Sequence, residues 1–149
     1  MKRLIFDFDA TLFSETEEKW MELYHLILSY QPRSIWLWSN GSKWLKKQAC
    51  SAIQFDHIQV ENRYESDLEL ADVAIEHAIA QGYVGNPHNA ALVKRCPPGS
   101  VLIDDMAGTW VAVAHSNPDS TLTPEQFMEK IKCREMTLTV DGDGYLAAT

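Results

Sequence analysis

Four aspartates stand out because they fall in two pairs, each following a short apolar run. Asp7 and Asp9 come after Leu4-Ile5-Phe6, and Asp104 and Asp105 come after Val101-Leu102-Ile103. An ionised carboxylate only accepts hydrogen bonds, so carboxylates gathered in one place repel one another, and the ordinary remedy is a hard divalent cation held through oxygen. Mg2+ is the cation this donor set implies, because it takes few protein ligands and keeps its waters for a phosphate. The two pairs therefore predict metal-assisted phosphate chemistry. Helix capping would account for one carboxylate after each run, but not for two.

Such chemistry needs the two runs to be neighbouring strands, since ligands of an open parallel sheet bind beyond the carboxyl ends of its strands. Arg3 to Phe8 is apolar almost throughout, as expected of a strand buried on both faces. Ser14 and Glu17 have capping-box spacing, and Trp20, Leu23, Tyr24 and Ile27 recur at helical intervals until Gln31-Pro32 stops them. Ser34 to Trp38 reads as the second strand, Lys43 to Ile53 as a helix and His57 to Val60 as the third strand. Ser66 to Gln81 carries a broad apolar stripe and reads as a helix, with Gly82 able to end it. A short helix from Gly85-Asn86-Pro87 to about Cys96 and a fourth strand, Ser100 to Ile103, complete the alternation. Strands alternating with helices predict an α/β fold around a doubly wound, mainly parallel sheet.

The pattern weakens beyond Met106. Ala107 to His115 is compatible with a helix, Thr123-Pro124-Glu125 opens another that runs to about Lys132, and Met136 to Val140 fits an edge strand. Asp141-Gly142-Asp143-Gly144 has the look of a calcium loop but lacks the fifth-position ligand and the closing Glu, so it reads as a solvated turn. The five tryptophans, Trp20, Trp36, Trp38, Trp44 and Trp110, fall on apolar faces and read as core, with Trp38 and Trp44 the two that would border a substrate. Lys43, Lys46 and Lys47 read as an exposed helix face.

The run Phe6-Asp7-Phe8-Asp9-Ala10-Thr11-Leu12 resembles the first motif of the haloacid dehalogenase (HAD) superfamily of phosphohydrolases, in which a DxDxT pattern ends the first strand. Leu37-Trp38-Ser39-Asn40-Gly41 resembles the second motif, and Val101-Leu102-Ile103-Asp104-Asp105 the fourth. The resemblance spans roughly residues 3 to 105 in the family's order. It implies a three-layer α/β/α Rossmann-like domain, a phosphatase activity and a Mg2+ cofactor. It also implies that Asp7 is the nucleophile, forming an aspartyl-phosphate, and that Asp9 is the general acid and base, its backbone carbonyl also serving the metal. Asp104 would be the main metal ligand after Asp7, with Asp105 helping directly or through water. The Ser39 hydroxyl, with Asn40 beside it, would bind a phosphoryl oxygen, and Thr11 would hold the loop after Asp9.

Three features depart from the family pattern. Ala10 stands where Gly is frequent, which predicts an ordinary φ there or slight strain. The cation of the third motif has three candidates. Lys94 ends a helix that returns to the far end of the sheet, Arg63 follows the third strand on the reactive side, and His88 starts the short helix; Arg63 is preferred. Only about 25 residues separate the first motif from Ser39, so no sizeable cap domain fits over the site. An uncapped, incompletely matched site leaves a non-catalytic phosphate-binding or regulatory domain as the alternative.

Composition bounds these readings. The 149 residues, 46% hydrophobic and 23% charged, fit one domain. Thirteen Lys and Arg against 21 Asp and Glu give a net charge of −8, which argues against an extended nucleic-acid surface or an anionic membrane as partner; a phosphorylated small molecule such as a nucleotide is the expected substrate, with a sugar phosphate, a phosphoprotein and a nucleic-acid terminus also open and the charge disfavouring only the last. No apolar stretch approaches the roughly 18 residues of a membrane span. Cys50, Cys96 and Cys133 are odd in number and form no CxxC, so neither a zinc site nor a disulfide framework is expected, and a cytoplasmic location is. A phosphoribosyltransferase loop at Val101 to Thr109 would leave Asp7 and Asp9 unexplained. A receiver domain would need an aspartate where Val60-Glu61-Asn62 ends the third strand.

Overall fold

The structure is a computed structural model of the whole chain, and it describes residues 1–7, 12, 19–38, 58–62, 76, 79–80, 99–105, 107 and 121–149. Strand β1, Lys2–Phe6, is the centre of a sheet whose main path runs β3-β2-β1-β4-β5, with β2 at Ser34–Leu37, β3 at Gln59–Asn62, β4 at Ser100–Ile103 and β5 at Thr121–Leu122. Every pairing along this path is parallel. The fold is thus mixed α/β with a mostly parallel sheet.

The order of the strands decides where a ligand can sit. From β1 the chain builds outward to β2 and β3, then returns to the other side of β1 for β4 and β5, so the direction of winding reverses between β1 and β4. Loops leaving two such strands diverge and open a crevice at their carboxyl ends.

The central strands are apolar on both faces, and the pleat sorts their side chains. Leu4 and Phe6, Ile35 and Leu37, and Val101 and Ile103 form one cluster with Leu23 and Ile27 of α1 (Lys19–Tyr30) and Phe127 of α2 (Pro124–Lys132). Phe127 meets Phe6 edge-on, with ring centroids 6.2 Å apart. Ile5 and Leu102 face the other way and pack with Trp38, with Trp36 against them. Among the described residues no helix joins this second cluster.

Local chemistry sets the helix ends. Thr123 and Gln126 form a reciprocal capping box at the start of α2: the Thr123 hydroxyl accepts from the Gln126 N–H at 3.1 Å, and the Gln126 side chain accepts from the Thr123 N–H at 2.9 Å. Pro124 takes the first turn, where a missing N–H costs nothing, and Lys130 and Lys132 occupy the last, where the dipole favours cations.

The C-terminal segment departs from the expected doubly wound pattern. Strands β6 (Leu138–Val140) and β7 (Leu146–Ala148) form an antiparallel hairpin, and β7 pairs antiparallel with the first residues of β1, Ala148 opposite Lys2 and Ala147 opposite Arg3. Leu146, Ala147 and Ala148 are all buried. The Asp141 to Tyr145 segment is a turn as expected, and its acids are used within the fold. Asp141 and Asp143 both bind Arg3, whose guanidinium lies over the rings of Trp36 and Tyr145, at 5.1 and 4.4 Å from their centroids. The Tyr145 hydroxyl donates to Glu61 at 2.8 Å.

Other expectations shift by a residue or two. The first strand ends at Phe6 rather than Phe8, so Asp7 already belongs to the loop, and the second ends at Leu37. The third strand is Gln59–Asn62 rather than His57 to Val60, which puts Arg63 immediately after it. β4 and α2 fall where the sequence places them. Positions 76, 79 and 80, inside the helix expected over 66–81, are helical; the segments expected as helices at 43–53 and 85–96 lie outside the described residues, as does the one at 107–115 apart from Ala107, which is in a turn. Strand β5 has no counterpart in the sequence reading.

Candidate active site

The backbone brings the two acidic pairs together. The β1–β4 ladder matches Leu4 with Val101, Ile5 with Leu102 and Phe6 with Ile103, so Asp7 and Asp104 stand on the next rung and leave the sheet on the same side. Pairing continues to that rung: the Asp7 N–H donates to the Ile103 carbonyl at 2.8 Å, and the Asp104 N–H to the Leu122 carbonyl at 2.9 Å. The chain then turns, with the Ala107 N–H donating to the Asp104 carbonyl at 3.0 Å, which returns Asp105 to the same place.

One carboxylate oxygen each from Asp7, Asp104 and Asp105 can be chosen so that all lie within 4.8 Å of one another. Asp7 is 8% exposed and Asp104 2%. At such separations two ionised carboxylates repel by roughly 3–4 kcal/mol for an effective dielectric of about 20. Opposite ligands stand about 4.2 Å apart on Mg2+ and about 4.8 Å apart on Ca2+, so a cluster held within 4.8 Å has the size one cation bridges, closing slightly on the smaller ion. The donors are oxygens only, which suits Mg2+, Ca2+ or Mn2+ and not a thiolate-loving metal.

The floor of the cluster is apolar. Ile5 and Leu102 lie two residues before Asp7 and Asp104 on the same face, and Trp38 packs with them. Trp38 also follows β2 on Asp7's rung, its backbone N–H donating to the Phe6 carbonyl at 2.8 Å. Its indole Nε1 is buried and has no hydrogen-bond partner among the described residues.

No protein-family model, curated protein or solved structure matches the chain. The geometry has to carry the reading unaided.

Of the residues the sequence singles out, the structure joins Asp7, Asp104 and Asp105. Asp9, Thr11, Ser39, Asn40, Arg63, His88 and Lys94 lie outside the described residues, as does Ala10. Cys133 caps the end of α2. Its exposed thiol donates to Glu129 at 3.2 Å, and that bond, with the charge of the carboxylate, raises its pKa. Two surface cavities among the described residues lie elsewhere. One of about 240 Å³ runs between α1 and α2 beside Glu22, Glu125 and Glu129, and one of about 310 Å³ opens at the amino end of β1 beside Lys2, Lys130 and Met136. Neither contains a residue of the acidic cluster.

Sequence reasoning passed over two features. One is the Arg3 clamp, whose signal was a cation placed two and four residues before Ile5 and Asp7 on one face of a buried strand. The other is the Trp38 indole N–H, a donor in a segment read for its apolar surface.

Proposed function

We propose that the protein is a Mg2+-dependent phosphomonoesterase of HAD-like architecture, acting on a phosphorylated small molecule such as a nucleotide. The observation that carries this reading is the meeting of Asp7, Asp104 and Asp105 within 4.8 Å at the point where the sheet reverses its winding. The three-layer form of the proposal takes the helix expected over 66–81 as the cover of the Ile5, Trp38 and Leu102 face, because a right-handed return from β3 to β4 lies on the face opposite α1. The cytoplasm is the proposed location; among the described residues no helix is long and apolar enough to cross a membrane.

In this reading Asp7, Asp104 and Asp105 would hold the cation, and the chemistry it would supply is neutralisation of phosphate charge. The Asp7 carboxylate attacks phosphorus in line, and the bond to the leaving oxygen breaks as Asp9 gives that oxygen its proton. Asp9 then takes a proton from water, whose oxygen attacks the aspartyl-phosphate and frees Asp7 and inorganic phosphate. Ser39 and Asn40 donate to phosphoryl oxygens, Arg63 supplies the cation of the third motif, and Thr11 keeps the loop carrying Asp9 in place.

The test is phosphate release from p-nitrophenyl phosphate and a panel of nucleoside monophosphates and sugar phosphates, with and without Mg2+. The expected result is Mg2+-dependent turnover that Asp7→Asn and Asp9→Asn each lower by a factor of about 100 or more. Turnover indifferent to Asp7→Asn refutes the mechanism. Phosphate binding without turnover across the panel would replace it with a non-catalytic phosphate-binding domain.

A further inference from the structure

The phosphatase reading leaves the buried indole N–H of Trp38 without a task; that of Trp36, buried as well, stands on the rung of Ile5, two residues further from the cluster. Trp38 is 2% exposed, and its Nε1 has no acceptor among the described residues. A donor shut away from water without an acceptor is destabilising, whereas a phenyl ring in the same layer would carry no such penalty. Its place is specific. Trp38 follows β2 on the rung of Asp7, fixed by its backbone bond to Phe6, and packs with Ile5 and Leu102, the two residues directly below Asp7 and Asp104 on the same face. Register thus sets Trp38 next to Asp7, on the neighbouring strand end and above the same apolar layer. Arg3, the described cation on this face of β1, is taken up by Asp141 and Asp143. A phosphate drawn to a cation among three carboxylates needs donors to its own oxygens, and the indole N–H is the spare donor nearest the cluster by register.

We propose, building on the phosphatase reading, that the Trp38 Nε1–H is a substrate-binding group that donates a hydrogen bond to a phosphoryl oxygen of the ligand held at the Asp7, Asp104 and Asp105 cluster. The free protein keeps this donor dry and unpaired, so phosphate binding supplies its acceptor. The bond acts on any phosphate ester, whatever its leaving group, and makes Trp38 part of the phosphate subsite.

The five indole N–H signals of the 15N-labelled full chain read this directly. The Trp38 signal is assigned by its loss in Trp38→Phe or, should that variant not fold, by elimination with Trp→Phe changes at 20, 36, 44 and 110. Mg2+ alone is added first and inorganic phosphate second. The expected result is a downfield proton shift of the Trp38 signal in the second step only. Trp38→Phe should weaken inorganic phosphate binding about tenfold, the usual worth of a bond to a charged acceptor, and leave Mg2+ affinity unchanged. A shift completed by Mg2+ alone overturns the assignment, because the acceptor then belongs to the metal's own shell. So does a signal that neither addition moves. Mg2+ binding that Asp7→Asn abolishes, beside a motionless Trp38 signal, sinks this assignment and leaves the metal site standing; a wild-type chain that binds no Mg2+ removes both.

Discussion

Asp7 and Asp104 share one rung of the sheet, a single residue beyond the pairing of Phe6 with Ile103, and each is still held there by its own backbone N–H. Their closeness is a consequence of strand pairing rather than of any attraction between them. The apolar packing of Ile5, Phe6, Leu102 and Ile103 opposes the repulsion in advance of any ligand. A cation arriving there gains from charges already assembled, without having to order a loop first.

Mg2+ should therefore stabilise the protein. At a free concentration 100 times its dissociation constant the gain is about 2.7 kcal/mol, or a rise in Tm of roughly 5–10 °C for a chain of this size. Asp105→Asn, which removes one of three like charges at the least buried position, should raise the Tm of the metal-free protein by about 2–4 °C and shrink the Mg2+ response. Differential scanning fluorimetry with EDTA or Mg2+ measures both. A metal-free Asp105→Asn protein that melts lower than the wild type would show that repulsion is not what the cluster stores.

Gly144 predicts the sharpest contrast between two glycines of one turn. Its φ is +88°, and a Cβ placed on it would stand 2.6 Å from the Cβ of Arg33. Its carbonyl also accepts from the N–H groups of Arg33 and Ser34, at 2.8 and 3.1 Å, so the turn cannot move away without loosening the start of β2. Gly144→Ala should cost about 2–4 kcal/mol, the left-handed backbone and the collision adding together. Gly142, with nothing within 4 Å of a Cβ, should accept alanine within about 0.5 kcal/mol. Urea unfolding of the two variants decides the matter.

Phe127 tests whether α2 merely covers the sheet or also supports the site. It is fully buried and meets the ring of Phe6, the residue before Asp7. Phe127→Ala should cost about 3–5 kcal/mol in urea unfolding, since the helix cannot collapse into the space. Well below its lowered melting temperature the variant should keep its Mg2+ affinity, because the Asp7 and Asp104 rung is set by backbone pairing. A proportional loss of Mg2+ affinity would show that the side-chain layer sets the rung as well.

The legible part of this molecule was the part that depends on short apolar runs and helix punctuation. Val101 to Ile103 could only be a buried strand, and Thr123-Pro124-Glu125 could hardly fail to start a helix, so β4 and α2 lie where they were expected. The neighbouring of Asp7 and Asp104 followed once those runs were taken for parallel strands in a doubly wound order. The edge strand expected at Met136 to Val140 is present as β6, but its partner was not legible, because β7 is Leu-Ala-Ala and is made a strand by pairing with Lys2 and Arg3, more than 140 residues away in the chain. Small residues carry little strand preference of their own, and tertiary context decides them. The third strand slid by two residues for a similar reason: Val60 has apolar company, but Glu61 is retained by Tyr145, a partner 84 residues distant.

The Arg3 clamp supplies the pH dependence. Burial pushes the Asp141 carboxyl upward. The hydrogen bond from Arg3, those from the backbone N–H groups of Tyr145 and Asp143, and the Arg3 charge outweigh it and hold the group below its ordinary value. A carboxyl depressed on folding stabilises the native state above its unfolded pKa, and that contribution disappears as the pH falls through the folded value. The clamp should thus be intact at neutral pH and fade below about pH 4. Tyr145 works at the opposite end: the bond it donates to Glu61 raises its pKa, so its contribution holds through neutral pH and is lost only on strong alkalinisation. Asp141→Asn should cost about 1 kcal/mol at pH 7, the pair being partly exposed and open to screening. The difference between variant and wild type should narrow as the pH falls through the folded value, where the wild-type carboxyl takes up its proton too. Urea unfolding followed by tryptophan fluorescence, to which Trp36 beside the Arg3 guanidinium contributes, compares the two proteins. A gap between the two proteins that is the same at pH 7 and pH 2 would mean that Asp141 works through its backbone hydrogen bonds alone and that Arg3 binds the turn without using its charge.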